Sequence, residues 1–161
     1  MRTPRFLLAA SLAATLAACA TQPAAPVSVG ETIAHMPQLS TLNGLVQQAG
    51  LADMLKTGGP MTVFAPTNDA FKAVPAKTMA ELAHDPAKLK ALISYHVLPM
   101  RVAAADVKNG NARTANGANV ALSKAGGFVT VEEAMVQTAD IVASNGVVHT
   151  VDRVLMPPVH R

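Results

Sequence analysis

The stretch that decides the fold is Thr62–Phe71, TVFAPTNDAF. It opens as a β-prone run and then places four turn-forming and polar residues before an aromatic residue. Pro66 has no N–H to donate to a sheet ladder, so it ends the strand, and Thr67 is a typical N-cap for the helical turn that follows. Asn68 and Asp69 fall where polar groups and negative charge complement the free N–H groups of a helix start. The stretch therefore predicts a strand that passes directly into a helix.

Helical patterns lie on both sides of this corner. Upstream, apolar residues at i, i+3, i+4 and i+7 form one stripe that ends before Gly58-Gly59-Pro60; they are Leu42, Leu45, Val46 and Ala49. Downstream, Phe71 turns into the core, and a later helix begins with Asp85 as N-cap and Pro86 at its first position. Its apolar stripe runs through Leu89, Leu92 and Ile93, and His96 continues that stripe, so we expect His96 to point toward the core.

The C-terminal half consists of short β-prone runs separated by turn dipeptides. The runs are VAAADV, ARTA, NVALSKA, FVTVEEAMV, ADIVAS and VVHTVDRVLMPP, and the dipeptides are Asn116-Gly117, Gly126-Gly127 and Asn145-Gly146. His149 alternates with Val147 and Val151, which predicts a buried, hydrogen-bonded histidine. Most of the predicted helices precede most of the predicted strands, and only the strand that begins at Thr62 comes early in the chain. This order favours the α+β class.

The N-terminus carries a processing signal. MRTPR is a positive segment, and the 13 apolar residues after it are too few to span a bilayer but suit a signal peptide. The run ends in LAAC, which resembles the lipobox of bacterial lipoproteins, in which the cysteine thiol is acylated. We expect a signal peptide over 1–18, a lipidated Cys19 with a Pro/Ala tether over 19–30, and one domain over 31–158. The alternative is an ordinary secretory peptide with Cys19 near its cleavage site by chance.

Composition and motifs argue against several classes of protein. Removing Arg2 and Arg5 with the signal peptide leaves 11 basic and 10 acidic residues, and only 3% of residues are aromatic, so no nucleic-acid partner is expected. No nucleophile elbow, phosphate-binding loop or metal-binding histidine pair occurs. A triad can be written from Ser94 or Ser144, His96 or His149, and Asp152, but geometry is the test for a triad. The expectation is a protein that is not an enzyme and has no cofactor and no metal.

Three segments together resemble the motifs of fasciclin-like domains. They are TVFAPTNDAF (62–71), YHVLP (95–99) and ADIVASNGVVHTVDRVLMPP (139–158). The resemblance implies a wedge of two antiparallel-rich β-sheets flanked by several short helices, with the two long motifs on neighbouring central strands. It also implies that motif side chains tie the core together; the matching residues are Thr62, Pro66, Thr67, Asn68, Asp69, Phe71, Asn145, Gly146, His149 and Asp152.

The resemblance also bears on function. Fasciclin-like domains are secreted or surface-anchored modules associated with adhesion, and in adhesive animal members a Tyr-His pair and an Asp-Ile pair are implicated in partner binding. The matching positions are Tyr95-His96 and Asp140-Ile141, although the stripe and strand patterns favour His96 and Ile141 as core residues. Glu132-Glu133 stands where such domains carry a turn pair, and it places two like charges on a predicted exposed edge.

Two functions follow as expectations. The first is a lipid-anchored protein of the bacterial cell envelope that mediates adhesion by binding a surface protein or glycan. Ala20 after the cysteine favours the outer membrane, with the domain facing the periplasm or the cell surface. The alternative is a carrier of a small lipophilic ligand, suggested by eight methionines, although their scatter through core-like positions favours core filling. A concave apolar pocket would favour the carrier, and a flat patch would suit the adhesin.

Overall fold

The computed structural model describes residues 26–158, so the predicted signal peptide, Cys19 and the start of the tether lie outside the described residues. The helices are α1 (Val29–His35), α2 (Ser40–Gln48), α3 (Ala52–Thr57), α4 (Asn68–Lys72), α5 (Ala76–His84) and α6 (Pro86–Tyr95). The strands are β1 (Met61–Pro66), β2 (Val97–Leu98), β3 (Gly110–Arg113), β4 (Asn119–Ala125), β5 (Phe128–Val131), β6 (Ala134–Ala143) and β7 (Gly146–Val151). Single 3-10 turns occupy Pro37–Leu39 and Ala104–Asp106. The predicted α+β class is confirmed.

The strands form one seven-stranded sheet in the order β2-β1-β7-β6-β5-β4-β3. The predicted two sheets appear as two arms that share β6, whose pairing with β7 shifts register around Thr138. One core cluster packs the helices against β1 and β7, and a second lies under the β3–β6 arm. The wedge therefore has two cores joined along one bent strand.

The two long motifs lie side by side at the centre of the sheet. β1 and β7 are parallel neighbours, with Phe64 opposite His149, and all residues of both strands are buried. The aromatic rings of this pair stack with centroids 5.6 Å apart. The predicted neighbouring central strands are confirmed.

The side-chain caps predicted from the sequence are present at the starts of α4 and α6. The Thr67 hydroxyl accepts a hydrogen bond from the N–H of Ala70, and the Asp85 carboxylate accepts from the N–H groups of Ala87 and Lys88. The apolar stripe of α2 is buried at Leu42, Leu45 and Val46, as predicted. These caps satisfy N–H groups that have no partner inside their own helices.

Two predicted boundaries differ from the structure. The folded domain begins before residue 31, because Ser28 and Glu31 form a reciprocal capping box at the start of α1 and Val29 is fully buried. The run VAAADV, predicted as β-prone, instead contains the 3-10 turn Ala104–Asp106. The Asp140 carboxylate accepts a hydrogen bond from the N–H of Ala104, so a residue 36 positions away stabilises this turn.

Two expectations about surface residues were wrong. Glu132-Glu133 forms the turn between β5 and β6, which are neighbouring strands in the interior of the sheet, so the pair is not on an edge strand. Glu132 adopts a φ of 54°. The methionines are not all core fillers, since Met100, Met135 and Met156 are exposed. Met61 is buried, and Met36, Met54 and Met79 are partly buried against the first core cluster.

Candidate interaction surfaces

Asn68 joins two helices through its side-chain amide. Its Oδ1 accepts from the N–H of Thr41 at 3.0 Å, and its Nδ2 donates to the carbonyl oxygen of Pro37 at 3.0 Å. Thr41 lies in the first turn of α2, so Asn68 caps that helix rather than its own. Its neighbour Asp69 pairs with Lys72 at 2.7 Å on the surface of α4.

Asn145 makes the corresponding connection in the second long motif. Its Oδ1 accepts from the N–H of Val29 at 2.7 Å, and its Nδ2 donates to the carbonyl oxygens of Gly58 at 2.6 Å and Leu55 at 3.0 Å. One side chain therefore holds the start of α1, the end of α3 and the β6–β7 turn together. It satisfies backbone groups that helix termini leave free.

Thr62 and Asp152 bind backbone groups in the same way. The Thr62 hydroxyl donates to the carbonyl oxygen of Met100 at 2.7 Å and accepts from the N–H of Val102 at 2.8 Å. The Asp152 carboxylate accepts from the N–H of Met135 at 2.7 Å. Thr62 holds the segment after β2 against the sheet, and Asp152 ties the end of β7 to β6, so both roles are structural.

The buried histidines have both ring nitrogens engaged by backbone groups. His96 lies 2.8 Å from the Leu92 carbonyl through Nδ1, and its Nε2 accepts from the N–H of Leu155 at 2.9 Å. His149 lies 2.8 Å from the Val102 carbonyl through Nε2, and its Nδ1 accepts from the N–H of Asp140 at 3.1 Å. Burial lowers the pKa of His96 to about 4, with the Leu92 hydrogen bond opposing the shift. Neither ring offers a free nitrogen for general base catalysis.

The four residues expected to form a partner-binding epitope are not together on the surface. Tyr95 and His96 are buried, and the Tyr95 hydroxyl lies 3.1 Å from the carbonyl oxygen of Asn119 and 3.4 Å from the Glu132 carboxylate. Burial, with the Glu132 charge, raises the pKa of that hydroxyl. Ile141 is half-buried and packs against the first core, and only Asp140 is exposed. Tyr95 and His96 therefore cannot contact a partner at the surface of this fold.

A different surface is exposed on the β3–β6 arm. Residues opposite each other in an antiparallel ladder share a face, and the register places nine side chains on the face away from the core: Asn111, Arg113, Asn119, Ala121, Ser123, Ala125, Phe128, Thr130 and Met135. Arg113, on the edge strand, is the one charged member. We call the part formed by Ala121, Ser123, Ala125, Phe128, Thr130 and Met135 the β4–β6 face.

The β4–β6 face exposes large apolar side chains. Phe128 is 66% exposed and Met135 is 44% exposed. The carboxylate of Glu132, at the end of β5, is turned onto the N–H of Ala121 at 2.7 Å. Sequence reasoning missed this face, although a signal was present. In NVALSKA and FVTV the valines and leucine alternate inward, which leaves Phe128 in the outward phase where a polar residue is usual.

A cleft of about 410 Å³ lies between α5, α6 and the segment after β7. Its apolar wall is formed by Leu82, Ala91, Leu92, Met156, Pro157 and Pro158, and its polar lining by Thr78, Glu81, Lys88 and Asn116. A volume of this size falls within the range of small-molecule sites. It is the kind of concavity that the carrier alternative requires.

Residues 26–158 lack two further features. None of the helices there has the length and apolar character needed to cross a bilayer. In the same range, no three histidine, cysteine or acidic side chains are grouped closely enough to bind a metal ion.

Comparison with known proteins gives consistent matches. The family model described as Fasciclin domain matches residues 37–157. Protein sll1483 of Synechocystis sp. is 40% identical over 134 residues, which cover 82% of this chain and 74% of that protein. The transforming growth factor-beta-induced protein ig-h3 of Sus scrofa is 35% identical over 125 residues, 77% of this chain but only 18% of that protein.

A solved structure shows the same fold. It is the FAS1 domain pair from the insect cell adhesion molecule fasciclin I, with a TM-score of 0.64 and 15% sequence identity. The match covers 81% of this chain and 51% of that chain.

Proposed function

Because the chain belongs to the fasciclin-domain family, we propose that it is a membrane-anchored protein of the bacterial cell envelope whose domain mediates adhesion by binding a protein at the β4–β6 face. The fold is shared with a domain pair from a cell adhesion molecule. The proposal includes no catalytic step, no cofactor and no nucleic acid. Its anchor is a lipid on Cys19, and Ala20 after that cysteine favours the outer membrane.

The observation that carries this proposal is the exposure of Phe128 and Met135 on a face whose six members are uncharged. Burying a fully exposed side chain of this size is worth roughly 1.5–3 kcal/mol, and covering the exposed part of Phe128 or Met135 contributes a share of that. Within residues 26–158, Phe128 is the one exposed aromatic residue of the Phe, Tyr and Trp type. An exposed ring among small, uncharged side chains suits contact with a protein surface.

An attachment assay tests the role of the face. Cells carrying Phe128→Ser are compared with cells carrying Val142→Ser, which removes another exposed apolar side chain, 61% exposed on β6 outside the face. With equal amounts of protein in the envelope, we expect several-fold weaker attachment for Phe128→Ser alone. Equal attachment of both variants and the unaltered chain would contradict the proposal.

Fractionation tests the anchor separately. Cys19→Ser removes the thiol that lipidation requires and should move the protein from the membrane fraction to the periplasmic fraction. Two acyl chains or more hold a protein firmly on a bilayer, at ~0.8 kcal/mol per buried CH₂. Retention of Cys19→Ser in the membrane fraction would mean that the lipid anchor is wrong.

The cleft between α5, α6 and the segment after β7 favours a second candidate function, a carrier of a small lipophilic ligand. Ala91 lines the cleft and is half-buried, so Ala91→Trp should fill it, while Lys90→Trp alters an exposed neighbour on the same helix. Native mass spectrometry of the chain extracted in mild detergent reads out the result. A carrier would show dissociable extra mass that Lys90→Trp keeps and Ala91→Trp loses; no extra mass in the unaltered chain would count against a carrier.

A further inference from the structure

The β4–β6 face has a bulky side chain beside small ones. Phe128 stands directly opposite Ala125 in the β4–β5 ladder, and Ser123 stands opposite Thr130. Ala121 continues the small surface along β4. The protruding ring and the flat small-residue row therefore lie on adjacent strands of one face.

We propose that a second copy of this chain binds this face through a two-fold symmetric contact. A two-fold axis that runs along the strands, between β4 and β5, places Phe128 of each copy over Ala125 of the other. An isologous contact needs a patch that is complementary to itself, and the ring of one copy fills the space above the alanine of the other. This inference rests on the proposed function, because it names the partner of the same face.

Charge supports a second copy as the partner. In a two-fold contact the face of one copy meets the same face of the other. Charged side chains on that face would therefore approach identical charges. The six residues of the β4–β6 face carry no charge, and Arg113 lies on β3, at the outer edge of the arm. The Lys124 ammonium is turned away to the carbonyl oxygen of Ala105 at 2.8 Å. Self-association therefore brings no charged member of the six into contact, and the neighbouring Glu132 carboxylate of each copy is held by the N–H of Ala121 and the Tyr95 hydroxyl.

The size of the face sets the strength of the contact. Three strands about 4.8 Å apart and five residues at about 3.3 Å each give roughly 200–250 Å². Stable complexes bury about 800 Å² on each partner. A contact of about a quarter of that area is weak and transient, so we expect self-association in solution only at high protein concentration. Copies anchored on two facing surfaces form many such contacts together, and this multivalency raises the avidity of each weak contact.

Cross-linking in intact cells tests the contact. Ser123→Cys places a thiol near the centre of the face, and Lys90→Cys places one on exposed α6 as the matched control. Cells are treated with a short bifunctional maleimide, and the unaltered chain measures any cross-linking through Cys19. We expect dimer from Ser123→Cys at least several-fold above both controls, and its loss when Phe128→Ser is added. Equal dimer from Ser123→Cys and Lys90→Cys would overturn the inference.

Sedimentation of the purified full chain in detergent gives a second readout that does not need the membrane. The weight-average mass should rise with concentration toward 1 mM for the unaltered chain and Val142→Ser, and stay monomeric for Phe128→Ser.

A monomer at every concentration, with no specific cross-link in cells, would overturn the inference. If attachment of cells still depends on Phe128 in that case, the face binds another protein and the proposed function stands. If the dimer forms but attachment is unchanged by Phe128→Ser, the proposed function fails and the inference stands.

Discussion

Asn145 donates a hydrogen bond from Nδ2 to the carbonyl oxygen of Gly58, 2.6 Å away and 87 residues earlier in the chain. The same side chain accepts from the N–H of Val29. We therefore expect Asn145→Ala to lower the free energy of unfolding by about 2–3 kcal/mol, because it leaves partly buried backbone groups without partners. Asn43→Ala on α2 is the control and should change it by less than about 0.5 kcal/mol. Urea unfolding measures both, and equal effects would mean that Asn145 is not a structural residue.

Gly146 has no room for a side chain. A Cβ there would collide with the carbonyl oxygen of Met61 on the parallel neighbour β1. We expect Gly146→Ala to cost about 3 kcal/mol or more, since a strand or the turn must move. Gly44→Ala is the matched substitution in exposed α2, where a Cβ meets nothing within 4 Å. It should stabilise the chain by roughly 0.8–1 kcal/mol, and a thermal melt in which both variants shift the same way would contradict this packing.

His96 makes stability depend on pH. Burial lowers its pKa from the usual 6.5 to about 4, so between these values the unfolded chain binds a proton that the folded chain does not. Its contribution is complete above pH 6.5 and is lost as the pH falls toward 4, by about 3 kcal/mol at 1.36 kcal/mol per pH unit. Protonation would also remove the acceptor for the N–H of Leu155.

Unfolding free energies of the unaltered chain and His96→Gln, measured from pH 4 to 7, check this expectation. His96→Gln should flatten the dependence over that interval, whatever its stability at pH 7. His84→Gln changes an exposed histidine of α5 and serves as the control. Parallel curves for the unaltered chain and His96→Gln would show that His96 is not the titrating group.

The sequence predicted features that depend on near neighbours. Asp85 and Pro86 mark the start of α6, and the turn dipeptide Gly126-Gly127 joins β4 to β5. Of the predicted dipeptide Asn145-Gly146, only Asn145 lies in the β6–β7 turn, since Gly146 is the first residue of β7. Local chemistry specifies these features, because caps and tight turns are made by residues a few positions apart. The neighbouring central positions of the two long motifs followed from the family resemblance rather than from any local pattern, and the parallel direction of their pairing was not predicted.

Contacts between distant residues could not be predicted in this way. The amide of Asn68 caps a helix that lies 27 residues earlier, although its own position suggested a role in α4. The exposed Phe128 became a candidate only when the ladder register placed it beside Ala125 and Thr130. Tyr95 was expected at an interface, yet α6 turns it inward onto Asn119. Burial and register are set by tertiary packing, which one sequence does not specify position by position.

The most direct test of the account compares Phe128→Ser with Tyr95→Phe in one attachment assay, with thermal unfolding of the same proteins. Phe128 is 66% exposed and Tyr95 is 3% exposed. We expect Phe128→Ser to weaken attachment several-fold while its melting temperature is unchanged. Tyr95→Phe should leave attachment intact and lower the melting temperature, since it removes a buried hydroxyl. Loss of attachment in folded Tyr95→Phe, with normal attachment for Phe128→Ser, would contradict the account.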